Sequence, residues 1–570
     1  MKKNFISISI LILFSFFAFN VIAQEQIKST FQGKYHMVNP EELLRMGEVG
    51  KDFYPTPPPI APVRNIAEFE HMEGVLISYR TSFGIPLSTI AEMAEDVIVT
   101  TIVETQAKKD YVIGQYVSAG VDTSNCNFMI EPINSYWTRD FSGWFIVDSS
   151  NNVGVINFPY NRPRPKDNDI PIAEAAFLGL DLFGMNLIHT GGNYMTDGLG
   201  ISVSCDLVVD ENPSLSVADI NQFVQDYLGV HTYHLMNDPL DLYIEHVDCW
   251  GKLLDVDKIL ITEVPLTDYR YNDFEAIANY FANSICSYGY NYEVFRVYSP
   301  NGQPYTNSLI LNNKVLVPQV SGTGSNWNDS ALAVYEKAMP GYEVIGFSYG
   351  SWQTTDALHC RTHGIADRGM LYIHHLPVYG LQPQQSSYEI FADIVSYCDS
   401  TIYSDSVMVL YSIDGSPWDT AAMILQGSKT YKGEIPGPPG GSEVAYYIHA
   451  ADESGRSVNH PLIGAPDPHI FNVETASGFI EKTNEPNKLI IYPNPATDII
   501  NIMLMLENPE NISIDIYNST GSLVKSIDKR SFTKGTHRQA IDISDLTTGI
   551  YIVVAKIGNN TIHRKFIVVD

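Results

Sequence analysis

Five polar residues recur along this chain at nearly constant spacing, and no other feature limits its fold so tightly. They are Asp140 in Trp137-Thr-Arg-Asp140, Asn193 in Gly191-Gly-Asn193, His246 in Glu245-His-Val-Asp248, Asn307 in Tyr305-Thr-Asn307 and Cys360 in His359-Cys360. The intervals between them are 53, 53, 61 and 53 positions. An apolar, strand-like run follows each within a few residues: Trp144–Val147, Ile201–Val203, Ile259–Ile261, Leu309–Leu311 and Leu371–Ile373. A period of this size marks a repeat architecture. Strands alternate with helices between the heads, so the units are α/β. Five of them closing a ring would bring five strand heads to one axis.

The rest of the chain divides by texture. Lys2-Lys3, an apolar stretch over 6–19 and Ala23 before Gln24 read as a secretory signal over 1–23. That stretch is shorter than the ~20 residues a bilayer span needs, and no later segment is long and apolar enough, so an integral membrane protein is not expected. Residues 24–60 form a lead-in whose Pro55-Thr-Pro-Pro-Pro59 run excludes regular helix. The α/β region covers 61–382. Its helices are expected to start at Ser88, at the Ser216-x-x-Asp219 capping box, at Asn272 or Asp273, and at Asn328-Asp329. Residues 383–475 show short alternating strands and an Asp414-Gly415 turn, which predict a small immunoglobulin-like β-sandwich. A polar linker over 476–488 leads to a further all-β unit at 489–570.

Formal net charge is −30. This argues against nucleic-acid binding, which needs basic patches. It suits cationic substrates, and equally suits a soluble exported protein. The six Cys contain no CxxC pair, so neither a disulfide framework nor a zinc site is expected. No calcium-binding or phosphate-binding loop is visible.

The heads carry reactive groups. Cys360 is the candidate nucleophile, because a thiolate is the reactive species. His246 is the candidate acid and base. On a strand, His246 and Asp248 would share one face, and Asp140 would arrive from the first repeat. Two carboxylates beside a thiol raise its pKa, so they are poor companions for ordinary Cys–His amide hydrolysis. They make sense if the substrate is a planar cation, since each carboxylate can take a charge-assisted pair from a guanidinium. Cys360 would attack the guanidinium carbon and His246 would protonate the departing ammonia. His246 would then activate water to release a ureido product. Asn193, between two glycines and a tyrosine, reads as part of a tight turn.

These motifs, with Gly191-Gly-Asn-Tyr-Met-Thr-Asp-Gly198, resemble the guanidino-group-modifying superfamily, whose fold is the five-bladed pseudo-symmetric α/β propeller, the pentein fold. More closely, residues 60–475 resemble the Porphyromonas-type bacterial peptidylarginine deiminases, with agmatine deiminases as the nearest alternative. The resemblance implies a catalytic set of Cys360, His246, Asp140, Asp248 and Asn307, aromatic walls from Trp137 and Tyr243, and no cofactor or metal. It also implies that Arg162 and Arg164, in Asn161-Arg-Pro-Arg164, bind the α-carboxylate of a C-terminal arginine. Agmatine has no such group. A loop charge pair balanced by Asp167 and Asp169 is the structural alternative. Tyr492-Pro-Asn-Pro495, Gly549-Ile-Tyr551 and the terminal Lys565-Phe-Ile-Val568 resemble the C-terminal sorting domain of type IX secretion cargo. Export or display on the outer-membrane surface is therefore expected, with the type IX machinery and arginine-containing peptides or proteins as partners. Free-arginine deimination and a non-catalytic surface adhesin are the remaining alternatives.

Overall fold

The computed structural model describes residues 38–240, 244–475 and 488–569, the last without 493, 498, 507, 519, 520 and 559. The expected secretory segment over 1–23 and nearly all of the linker lie outside these residues. Two compact units emerge: one runs to Asn283 and from Tyr292 to Glu474, the other holds Ser284–Asn291 and the chain after Glu474.

In the first unit a strand–strand–helix–strand phrase recurs through five small sheets. Trp144–Val147 pairs antiparallel with Val153–Asn157, helix Ile170–Leu178 crosses over, and Asp181–Gly184 adds in parallel. Met195–Thr196, Ile201–Cys205, helix Val217–Leu228 and Thr232–Met236 repeat the pattern. So do Gly251–Asp255, Lys258–Glu263, helix Tyr271–Ala282 and Glu293–Tyr298. The fourth set is Leu309–Leu311, Lys314–Gln319, helix Asn328–Ala338 and Glu343–Ser348. A parallel partner requires a long crossover, which is why a helix separates the second and third strands each time.

The fifth sheet joins the two ends of this region. His363–Ala366 pairs antiparallel with Met72–Tyr79, to which Ile98–Val103 and Cys126–Ile130 add in parallel through helices Leu87–Asp96 and Gln106–Ala119. The strand Met72–Tyr79 is nearly all buried, as expected for parallel sheets covered on both faces.

Several sequence expectations are corrected. Ile201–Val203 and Ile259–Ile261 lie in the second strands of their sheets; the strands that directly follow those heads are Met195–Thr196 and Gly251–Asp255. Met195–Thr196 is too short to show a pattern, and Lys252 interrupts the apolar run of the other. Leu371–Ile373 does not belong to the fifth repeat: Leu371–His375 pairs with Ser387–Ser396 of the following sandwich. The helix expected from Asn272 or Asp273 starts at Tyr271, because Asp268 accepts hydrogen bonds from the backbone N–H and the guanidinium of Arg270 and sets the turn earlier. The Ser216 capping box forms as read, with Ser216 accepting from the Asp219 N–H.

After Ala366 two sheets face one core of Ile390, Ile394, Val409, Tyr446, Ile448 and Phe471. One contains Leu371–His375, Ser387–Ser396 and Thr430–Pro436; the other contains Met408–Ile413, Glu443–Ala451 and His469–Val473. Strict alternation of buried and exposed side chains along Ser387–Ser396 and Glu443–Ala451 makes the two-layer packing. The second unit is likewise two antiparallel sheets around Ile500, Ile502, Ile514, Val553 and Phe566. Among the described residues no helix is long and apolar enough to cross a membrane, and no disulfide joins any of the six Cys.

Candidate active site

Each repeat head is a short turn that delivers its side chain just before the first strand of a sheet. Asp140 sits in the one-turn helix Thr138–Phe141; Asn193, Asp248 and Cys360 sit in the 3₁₀ turns Gly191–Asn193, Val247–Cys249 and His359–Arg361. His246 caps the second of these turns. His246 and Asp248 are thus not on a strand, and their approach comes from the tight turn instead of from strand alternation. Asn307 follows Pro304 in a turn closed by an Asn307 N–H bond to the Pro304 carbonyl.

The turns converge. Asn307 Nδ2 donates to Cys360 Sγ at 3.2 Å, and its Oδ1 accepts the backbone N–H groups of Cys360 and Ala357 at 3.3 and 3.2 Å. Cys360 Sγ lies 3.5 Å from Asp248 Oδ2. His246 Nδ1 lies 3.6 Å from Asp140 Oδ1. The common point is Gly192, whose N–H donates to Asp140 Oδ1 at 3.2 Å. A Cβ there would meet Asp140 Oδ1 and His246 Nδ1 at 2.6 Å and Asp248 Oδ2 at 3.3 Å. Glycine is required because three functional groups crowd onto it. Asn193 does not face this point. Its Oδ1 accepts from the N–H groups of Cys205 and Val247, tying the second head to the third.

The buried charges are unequal. Burial pushes the Asp140 carboxyl up to about 8, with the negative Asp248 adding to the effect. Burial acts the same way on Asp248, but the hydrogen bond and charge of His359, with His246 and Arg139, outweigh it and leave this carboxyl below its ordinary value. The Cys360 thiol is pushed well up by burial, then by Asp248, Asp356 and Asp140, with Asn307 opposing. Two neighbouring carboxyls driven apart in this way mark a site where charge is managed. An entering cation would lower the cost of ionising both Asp140 and the thiol.

The remaining expected residues sit close by. Trp137 is buried, and the Arg164 guanidinium lies 4.9 Å from its ring centroid. Arg164 is paired with Glu42 from the lead-in, Nε to Oε1 at 2.7 Å and Nη2 to Oε2 at 3.2 Å. Arg162 donates to the Asn161 carbonyl at 3.1 Å and lies 3.8 Å from Glu211. Asp167 instead accepts from Asn134 and Ser135. Tyr243 lies outside the described residues.

Sequence reading missed a second layer of buried charge. His359 Nδ1 lies 2.7 Å from Asp248 Oδ2, and its Nε2 lies 2.6 Å from Glu68 Oε2. Glu68 also takes Lys252 Nζ at 2.6 Å, the Ile310 N–H at 3.0 Å and Arg139 Nη2 at 2.8 Å. Asp356 holds Arg361 with two bonds of 2.8 and 2.7 Å, fixing the turn that carries Cys360. Of this layer, His359, adjacent to Cys360, and Arg139, adjacent to Asp140, stand within motifs that the sequence singles out. Among the described residues no cluster of His, Cys, Asp and Glu is arranged to hold a metal ion.

Residues 65–365 match the family of Porphyromonas-type peptidyl-arginine deiminases, and residues 490–569 match the secretion system C-terminal sorting domain. A relative from Legionella pneumophila, named "Putative agmatine deiminase", is 24% identical over 246 residues, covering 39% of this chain and 69% of the relative. Similar solved structures include the "Putative Arginine Deiminase from Porphyromonas gingivalis", at 20% identity and TM-score 0.46, covering 53% of this chain and 98% of that one. Another is the agmatine deiminase of Enterococcus faecalis, at 17% identity and TM-score 0.47, covering 54% and 96%.

Proposed function

This chain belongs to the Porphyromonas-type peptidyl-arginine deiminase family, and from that premise we propose that it converts peptidyl-arginine, at or near peptide C-termini, to citrulline and ammonia. The observation that carries the reading is the convergence of the Asp140 and Asp248 carboxylates on Gly192, with the Cys360 thiol 3.5 Å from Asp248. That arrangement suits a flat cation held edge-on beside a nucleophile. The carboxylates grip the guanidinium, whose charge favours the thiolate. Cys360 Sγ adds to the central carbon, and His246 gives a proton to one amino group, which leaves as ammonia. The resulting S-alkylthiouronium is attacked by water as His246 takes a proton from it. The C–S bond then breaks, returning the thiolate, and the remaining hydroxyl proton passes to solvent as the ureido C=O forms. Asn307 holds the sulfur and the turn that bears it. The five sheets act as blades around this axis, followed by an immunoglobulin-like sandwich. The C-terminal unit, a sorting domain by its match, directs type IX export after an N-terminal secretory signal.

Arg162 and Arg164 are the proposed subsite for the substrate α-carboxylate. A second reading, agmatine deimination, is favoured by the carboxylates of Glu42 and Glu211 that already face these two side chains, and by relatives named for that activity. A ureido assay on a C-terminal arginine peptide, its amidated twin, free arginine and agmatine separates the two. Preference for the free-carboxylate peptide is expected. Turnover of agmatine alone would overturn the specificity, and no turnover of any of the four would overturn the activity.

A further inference from the structure

The imidazole of His359 is clamped between two carboxylates. Glu68 is held ionised against burial by Lys252, His359 and Arg139, and Asp248 lies below its ordinary value as well. A ring nitrogen facing an ionised carboxylate at hydrogen-bond distance must carry a hydrogen. Both ring nitrogens of His359 thus lie within hydrogen-bond distance of a carboxylate oxygen, one on each side. Its Nδ1 bonds the same oxygen, Asp248 Oδ2, that faces Cys360 Sγ. Glu68 draws its partners from four other segments, at Arg139, Lys252, Ile310 and His359. A cavity of about 70 Å³ borders Glu68, Arg139, Lys252 and His359, and Cys360 and Asp248 are not among its walls.

We propose that His359 and Glu68 are positioning residues of this site, acting through Asp248: together they orient its carboxylate toward the guanidinium and keep it anionic. The inference rests on the deiminase reading above. The groups facing Asp248 are His246, His359, Arg139, Asp140, Cys249 and Cys360. Among these, His359 bonds its side chain at 2.7 Å, against 3.5 Å for each of the Cys249 and Cys360 thiols. Without it Asp248 loses the hydrogen bond that most opposes its burial, and it protonates at higher pH.

The test is the pH profile of kcat/KM for His359→Ala and His359→Gln, with and without added imidazole. A loss larger near pH 6 than near pH 9 is expected, about tenfold for each unit by which Asp248 in the variant titrates above pH 6. The loss should fall mainly on KM. Imidazole, entering the space vacated beside the cavity, should restore activity at the acid end in His359→Ala. A loss equal at every pH, unmoved by imidazole, would overturn the proposal, and His359→Gln carries the same measurement should the alanine variant not accumulate. Failure of the wild-type protein to release ammonia would instead strike the deiminase reading.

An independent observation concerns the lead-in. Asn39 caps the short helix Pro40–Leu43, and Glu42 bonds the Asn39 N–H at 3.0 Å while chelating Arg164 with both oxygens. Both side chains of this pair are nearly buried, at 13% and 6% exposure. We infer that Glu42 is a specificity-determining residue, an internal carboxylate occupying the arginine that a substrate carboxylate would need. This rests on the proposed role of Arg164. Glu42→Gln should lower KM for C-terminal arginine peptides about tenfold by freeing the competent state, and by much less for the amidated peptide. An unchanged KM for the free-carboxylate peptide would refute it. Equal wild-type rates on both peptides would instead refute the carboxylate subsite.

Discussion

Asp140→Asn separates what the site costs from what it does. The Asp140 carboxyl is pushed up to about 8 by burial and by Asp248, whereas an unfolded Asp ionises near ~4. Between those values the folded protein holds a proton that the unfolded chain has released, so stability falls as pH rises through the window. Four units correspond to at most about 5 kcal/mol. Asparagine removes the titration and keeps an oxygen for the Gly192 N–H. The variant should therefore melt higher than the parent at about pH 9, by roughly 2–4 °C for each kcal/mol, and nearly level with it at about pH 4. In the parent, kcat/KM should rise about tenfold per pH unit up to about 8. The kcat profile should be flatter there, because bound guanidinium supplies the missing countercharge. In Asp140→Asn the acid limb should vanish and kcat/KM should fall at high pH. Melting curves by differential scanning calorimetry and initial-rate profiles check both halves. An acid limb surviving in the variant would assign it to another group, and a melting difference independent of pH would refute the stated origin of the strain.

Gly192→Ala should cut kcat/KM about a hundredfold by displacing Asp140 and His246, since a shift near 1 Å costs that much. Its melting point should change little. Asn307→Ala removes the Nδ2–H donor that favours the Cys360 thiolate together with two backbone anchors. Alkylation of Cys360 by a haloacetamide should then need higher pH, and kcat should fall; an unshifted alkylation profile would count against the Asn307–sulfur bond.

The periodic heads were legible because each is a residue type that a tight turn before a buried strand can deliver, and their spacing is one strand–strand–helix–strand unit. Asp140, His246, Asn307 and Cys360 are thus legible as heads, and Asp248 through its two-residue offset from His246, although a tight turn and not a strand carries that pair. The strand assignments erred where the pattern itself failed. Met195–Thr196 has only two residues, and Leu371–His375 alternates like any sandwich strand. Glu68 and Lys252 were illegible for a different reason. Each is a charged residue in an otherwise ordinary segment, and its meaning lies wholly in partners 184 positions apart. A buried ion pair of this kind adds little net stability, yet loss of one partner costs about 3–5 kcal/mol. Burying that much charge is unfavourable for packing alone. It becomes intelligible once Asp248 must stay ionised beside a sulfur whose own ionisation it opposes, because only fixed cations behind the carboxylate can hold it so before the substrate arrives.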